Sequence, residues 1–302
     1  MSGITVFSGH LTALLAAFLW AFCSVLFKDL GRSIKPVELN LLKGVGAIVL
    51  LALTSLLLGE KLSSISSLAI ILLLISGAVG IGFGDTMYFE AINRIGPNRS
   101  LLMATLAPII TAILALIFLG EKIAPLAWLG VVVTLIGILL VITQKHDQET
   151  ENLRNDRLGI LFALLFALAQ ASGAVISRWA LTQTSITPLQ SSVVRIFAGI
   201  VFLVVWIAFS RTHLGGWTES SPKSKNAWLK VILVVLLGAY LPLWLQQVAF
   251  KNTEVGIAQT LLATAPIFIL PISALQKEKI SLREILGMVI SVVGIAILFL
   301  IH

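Results

Sequence analysis

The sequence predicts an all-α integral membrane protein with ten transmembrane helices, arranged as two inverted five-helix repeats. Three observations predict it: the composition, ten long apolar runs, and an ordered match between the two halves. Apolar residues fill 58% of 302 positions and charged residues only 12%, whereas a water-soluble domain carries roughly twice that charged fraction. The mean hydropathy of +1.03 comes from apolar stretches separated by short polar breaks, as in a chain solvated by lipid.

The first run extends from about Leu11 to Phe27, the second from Pro36 to Gly59 and the third from Leu68 to Ile92. The fourth covers Ser100 to Leu119 and the fifth Leu126 to Thr143. A hydrophilic linker, 145–157, separates a first repeat, 1–144, from a second, 158–302. In the second repeat the runs are Leu158 to Ile176, Pro188 to Phe209, Trp228 to Phe250, Gly256 to Leu275 and Ile285 to Ile301. Each can cross a hydrocarbon core of about 30 Å as a helix, and a lone strand cannot satisfy its own backbone there. The run near the start has no basic region before it and no cleavage site, and reads as a retained helix. No segment is long enough to fold as a soluble catalytic domain.

The halves match in order. Ala107-Pro108-Ile109, Glu121-Lys122-Ile123, Gly130 and Gly137 are answered by Ala265-Pro266-Ile267, Glu278-Lys279-Ile280, Gly287 and Gly294. Lys43 follows Pro36 at the same distance as Arg195 follows Pro188, and Trp20 corresponds to Gln170. An odd number of spans per unit makes the second copy enter the membrane upside down. Inverted repeats of this kind point to secondary transporters, whose substrate sites lie near the midplane between repeats.

The net charge of +7 does not indicate nucleic acid, because the basic residues are scattered between apolar runs with no basic helix. Lys28, Arg32, Lys35, Arg94, Arg99, Lys145, Arg154, Arg157, Arg211, Lys223, Lys225, Lys230, Lys277, Lys279 and Arg283 fall at one set of span ends. Only Lys61, Lys122, Arg178 and Lys251 fall at the other. By the positive-inside rule the richer side is cytoplasmic and both termini are outside.

The stretch Gly84-Asp85-Thr86-Met87-Tyr88-Phe89-Glu90-Ala91-Ile92, continued by Ala107-Pro108 and Gly120-Glu121-Lys122, resembles the EamA-type transporters of the drug/metabolite transporter superfamily. The resemblance covers nearly the whole chain, one EamA unit per half, with Lys277 departing from the pattern where the first copy has Gly120. It implies a ten-helix permease for small organic molecules, often an exporter of amino acids or related metabolites. The expected location is a bacterial inner (plasma) membrane. Family members are usually drawn with both termini cytoplasmic, against the charge bias.

Polar groups within spans are the candidates for function, because a charge at mid-bilayer is costly unless paired or hydrated. Lys43 and Arg195 are expected to line a central cavity and attract a carboxylate, the alternative being snorkelling to a headgroup or pairing with Glu38 or a third-helix carboxylate. Asp85 and Glu90 are candidates for loading and releasing a proton; each has a structural alternative, as the partner of a basic group or as an interfacial residue. Tyr88 extends the face of Gly77, Gly80 and Gly84, which lets another helix approach closely. Trp20, Gln170 and Gln246 complete the expected cavity, with interhelical hydrogen bonding as their alternative role. Pro108 and Pro266 are each expected to remove a bond from a helix interior and free a carbonyl one turn earlier, as hinge candidates or inherited static bends.

Neither a catalytic constellation nor a metal site is expected, and no cofactor. His10, His146, His213 and His302 lie at or outside the predicted span ends, no His-Glu-x-x-His occurs, and Cys23 is the single cysteine. An intramembrane enzyme is therefore the weaker rival. A non-transporting receptor or scaffold gives no reason for an inverted duplication, and a channel lacks a pore-loop signature. The expected partners are a small-molecule substrate and the lipid bilayer, with no nucleic acid, and the chain acts as a monomer or a homodimer.

Overall fold

A computed structural model of the chain describes residues 3–30, 36–60, 65–144, 156–210, 225–275 and 280–300. Most of the linker and the Lys277–Lys279 part of the second turn motif lie outside them. Among the described residues ten helices are long and apolar enough to cross a membrane, and there is no strand. Spans 1 to 5 are Gly3–Leu30, Pro36–Leu57, Ser67–Ile95, Pro97–Leu119 and Pro125–Gln144. Spans 6 to 10 are Arg157–Gln183, Pro188–Ser210, Lys225–Asn252, Val255–Leu275 and Leu282–Leu300. Span 1 starts earlier than its apolar run suggests. It thereby carries His10 inside the helix, 1% exposed, with Nε2 3.0 Å from Thr253 Oγ1, a correction to its placement at a span end.

The order of packing is set by small residues. Lipid tails are as apolar as leucine, so helices associate where backbones can approach. Span 5 lies along span 10 on four glycines. A Cβ on Gly287 would fall 2.7 Å from the Gly137 carbonyl oxygen, and one on Gly294 2.9 Å from that of Gly130. Ser291 Oγ closes the seam by donating to the Thr134 carbonyl at 3.1 Å. Beyond this seam the pair touches spans 4 and 9, and Phe299 of span 10 packs on Phe7 and His10 of span 1.

Packing between the halves is reciprocal. Span 1 lies on span 8 as span 6 lies on span 3; span 1 touches span 9 as span 6 touches span 4; span 2 touches span 8 as span 7 touches span 3. Irregularities repeat as well. Span 3 passes through a π-helical stretch at Ala78–Phe83 and span 8 through another at Leu236–Tyr240, features that recur at functional sites. Span 4 breaks at Thr105 and span 9 at Ala263 and Thr264. Pro108 and Pro266 then fall in the first turns of Leu106–Leu119 and Ala265–Leu275. A missing N–H is unused in a first turn, so each proline starts a helical segment. The expectation that they remove a bond from a helix interior is corrected accordingly. Pro271, further along span 9, does lie inside its helical segment.

Candidate functional site

A cavity of about 570 Å³ lies where spans 1, 2, 3, 4, 6, 8 and 9 meet, flanked by the two helix breaks. Of the residues singled out from the sequence, Trp20, Lys43, Asp85, Tyr88, Gln170, Gln246, Pro108 and Pro266 line it. Asn40, Phe89, Phe166 and Gln259 line it too, and the sequence reading did not single them out. Asn40 is one helical turn before Lys43 and so shares its face, a signal that was available. Phe166 and Gln259 had no local signal, because apolar and amide residues recur throughout the spans.

The polar end of the cavity is built by spans 2 and 3. The π-helical stretch ends at Phe83, and the α-helix that resumes at Gly84 points Asp85 and Tyr88 inward. Asn40 Nδ2 donates to Asp85 Oδ2 at 3.3 Å, and Lys43 stands near enough for its charge to act on that carboxylate. Tyr88 lies against Phe166 with ring centroids 4.5 Å apart. With Trp20 and Phe89 these rings make an apolar wall beside one carboxylate and one ammonium. Gln170 is partly engaged in packing: its Nε2 donates to the Gly80 carbonyl at 3.0 Å.

Two expected residues lie elsewhere. Arg195 is 4% exposed and does not line the cavity. Its backbone packs on Gly77, and its guanidinium runs past Gly80, 3.5 Å from where a Cβ there would be. Span 3 approaches span 7 so closely at these glycines that its wall stands between Arg195 and the cavity. Glu90 lies outside the cavity at a half-exposed helix end, 4.0 Å from Arg94. The neighbouring amides Gln246 and Gln247 also part company: Gln247 is buried, its Oε1 accepting from Ser177 Oγ at 2.5 Å and from Ser191 Oγ at 2.9 Å.

The cavity reaches toward the span ends that carry most of the basic residues. It follows Leu39, near the start of span 2, and Leu101, in the first helical segment of span 4. At the opposite end all eight residues Val255–Leu262 are buried. There Arg178 joins three chain segments, donating from Nε to Glu121 at 2.6 Å and from Nη1 to the Phe250 and Lys251 carbonyls at 2.7 Å each.

Ten helices able to cross a membrane, seven of which meet at a cavity with polar and aromatic lining, make the architecture of a multi-pass membrane transporter. The model of the EamA-like transporter family matches this chain twice, at residues 7–143 and 157–300, and the chain belongs to that family. The uncharacterized transporter YyaM of Bacillus subtilis (strain 168) is 25% identical over 255 residues, 83% of this chain and 80% of the relative. The uncharacterized transporter YdfC of the same organism is 25% identical over 259 residues, 85% and 79% respectively. Solute carrier family 35 member F6 of Mus musculus is 25% identical over 127 residues, 40% of this chain and 33% of the relative. A protein of known crystal structure has the same fold, with a TM-score of 0.78 at 18% identity over 97% of this chain and 98% of that one.

Proposed function

We propose that this transporter exports a small zwitterionic metabolite with an apolar body, such as an amino acid or a related compound. The observation that carries this is Lys43 and Asp85 in one cavity that is also lined by four aromatic rings. An ammonium attracts a carboxylate and a carboxylate attracts an ammonium, while Trp20, Tyr88, Phe89 and Phe166 receive the apolar remainder. Between apolar walls, where the effective dielectric is lower than in water, both attractions are stronger than in solution.

Movement is by alternating access between two inverted five-helix repeats, 1–144 and 158–302, joined by the linker 145–157. The reciprocal packing, the paired π-helical stretches and the paired breaks beside Pro108 and Pro266 support this reading. Asp85 is the proton-coupling residue: Glu90, outside the cavity beside Arg94, is not positioned to share that role. The side on which the cavity opens carries most of the lysines and arginines, which supports a cytoplasmic placement and a loading state of an exporter. The membrane is a bacterial inner (plasma) membrane, and the working unit is a monomer or a homodimer.

The test is release of amino acids from cells fed apolar dipeptides. Overproduction is expected to speed release several-fold over an empty vector, and Lys43→Ala is expected to abolish the gain at equal membrane abundance. A properly inserted protein that moves none of a broad panel of amino acids and their derivatives faster than the empty vector overturns the reading.

A further inference from the structure

The cavity is matched in its middle and unmatched at its two ends. Aligned on the two π-helical stretches and on Pro108 and Pro266, Tyr88 corresponds to Gln246 and Leu101 to Gln259, as Trp20 does to Gln170. Both members of each pair line the cavity. Toward the basic end it continues along Asn40, Lys43 and Phe89. Their counterparts at the other end are Ser192, Arg195 and Gln247, which are 1%, 4% and 1% exposed and do not line it. The leading helical segments differ in the same sense. All of Val255–Leu262 is buried, whereas in Pro97–Ala104 Ser100 is the one buried position among the described residues.

A specific latch holds the unmatched end shut. Gln247 Oε1 takes hydrogen bonds from Ser177 in span 6 and Ser191 in span 7, tying both to span 8. Arg195, one turn along span 7 from Ser191, packs on Gly77 and Gly80 of span 3. Its Nε has no hydrogen-bond partner, and the ion pairs found among the described residues do not include it. A guanidinium in that setting destabilises the closed arrangement, and water entering the closed end relieves the cost.

We infer that Arg195, with Ser192 and Gln247, forms a second mouth of the binding cavity, shut in this structure by the Ser177–Gln247–Ser191 latch, which offers a carboxylate-binding guanidinium when it opens. This rests on the alternating-access reading above. The bound carboxylate is then handed from the Lys43 ammonium on one side to the Arg195 guanidinium on the other. Arginine's planar fork meets a carboxylate with two parallel hydrogen bonds.

Accessibility of introduced thiols tests it in the full-length protein reconstituted in liposomes, with Cys23→Ala as background. Ser192→Cys reports the second mouth and Asn40→Cys the open one. Adding Gln247→Leu removes both latch contacts. It should speed labelling at position 192 by a membrane-impermeant thiosulfonate roughly tenfold and slow labelling at position 40. In that opened protein, negatively charged reagent should react faster relative to positively charged reagent, and Arg195→Gln should lower the ratio several-fold. Should Gln247→Leu not accumulate, Ser177→Ala with Ser191→Ala removes the same two donors. A thiol at position 192 that stays unreactive, a response there without the opposite response at position 40, or a charge preference indifferent to Arg195 overturns the inference. The labelling needs no substrate. Both responses intact with no compound transported would sink the carrier reading and leave the second mouth standing.

Discussion

Arg178 and Glu121 meet at 2.6 Å with both side chains largely buried, 7% and 14% exposed. The second carboxylate oxygen of Glu121 accepts the backbone N–H of Val255 at 3.0 Å, satisfying one of the unpaired donors at the start of span 9. Gly120, at φ 65, makes the turn that ends span 4 and presents Glu121. The Gly-Glu-basic pattern visible in the sequence thus has a structural use: one carboxylate fastens spans 4, 6 and 9 at the end where the cavity is closed.

Glu121→Ala should therefore destabilise the protein by about 3 kcal/mol, since it leaves Arg178 buried without its counter-charge. Glu121→Gln, which keeps an acceptor, should cost less. Thermal melting of the detergent-solubilised protein should show a fall of several degrees for the alanine variant and a smaller one for the glutamine. Equal melting of all three proteins would show that the pair does not hold this end together.

Asp156 provides a pH-dependent counterpart at the other end. It accepts from Arg94 Nη1 at 3.0 Å and caps span 6 through the N–H groups of Leu158 and Gly159. The hydrogen bond from Arg94, helped by these two caps, holds its carboxyl below the usual value of 3.8. A group depressed in the folded state contributes stability that is fully present above its unfolded value and lost as pH falls through the folded one. Asp156→Asn should then melt lower than the parent at neutral pH, with the gap narrowing as pH falls below about 4. A gap that is constant down to pH 3 would assign the effect to shape alone.

The seam between spans 5 and 10 leaves no room for side chains at its glycines. Gly287→Leu is expected to separate the two helices, costing about 3 kcal/mol or more through overpacking, and to reduce folded protein in membranes. Because neither span lines the cavity, the fraction that does fold should keep wild-type affinity for whatever it carries. Normal accumulation of Gly287→Leu would show that the seam is looser than this packing.

Much of this was legible in the chain. Ten apolar runs fixed the number of spans, since each must satisfy its backbone internally, and the Ala-Pro-Ile repeats marked where the matched breaks fall, whereas the glycines of spans 5 and 10 were legible as a repeat but not as a seam. The depth of Lys43, Asp85 and Tyr88 could be read from distance to the span ends. The difference between Lys43 and Arg195 could not. They hold equivalent places in the sequence and were expected in one cavity, yet one lines it and the other is sealed behind Gly77 and Gly80. Equivalent places in two repeats need not have equivalent surroundings in one structure, and span 3 packs on span 7 at Arg195 more closely than the matching helices do at Lys43. The π-helical stretches were equally hidden, because runs such as Ala78–Phe83 have the composition of an ordinary span.

The strongest prediction concerns Lys43 and Asp85, which do different work in the proposed carrier. Lys43→Ala removes the cation facing the substrate carboxylate and should weaken binding about tenfold or more, the scale of one charge-assisted hydrogen bond. Lys43→Arg should retain part of the activity, because a cation remains at nearly the same depth. Asp85→Asn keeps the shape and the contact with Asn40 but can neither ionise nor carry a proton. Net export driven by a proton gradient should fall at least tenfold in that variant, while exchange of labelled for unlabelled substrate, which needs no net proton movement, should persist at a weakened substrate affinity, because the amide oxygen still accepts from the substrate ammonium. Measuring both in proteoliposomes separates the two roles. Loss of exchange together with net export would make Asp85 a binding residue with no part in coupling, and full activity in Lys43→Ala would place the substrate somewhere other than this cavity.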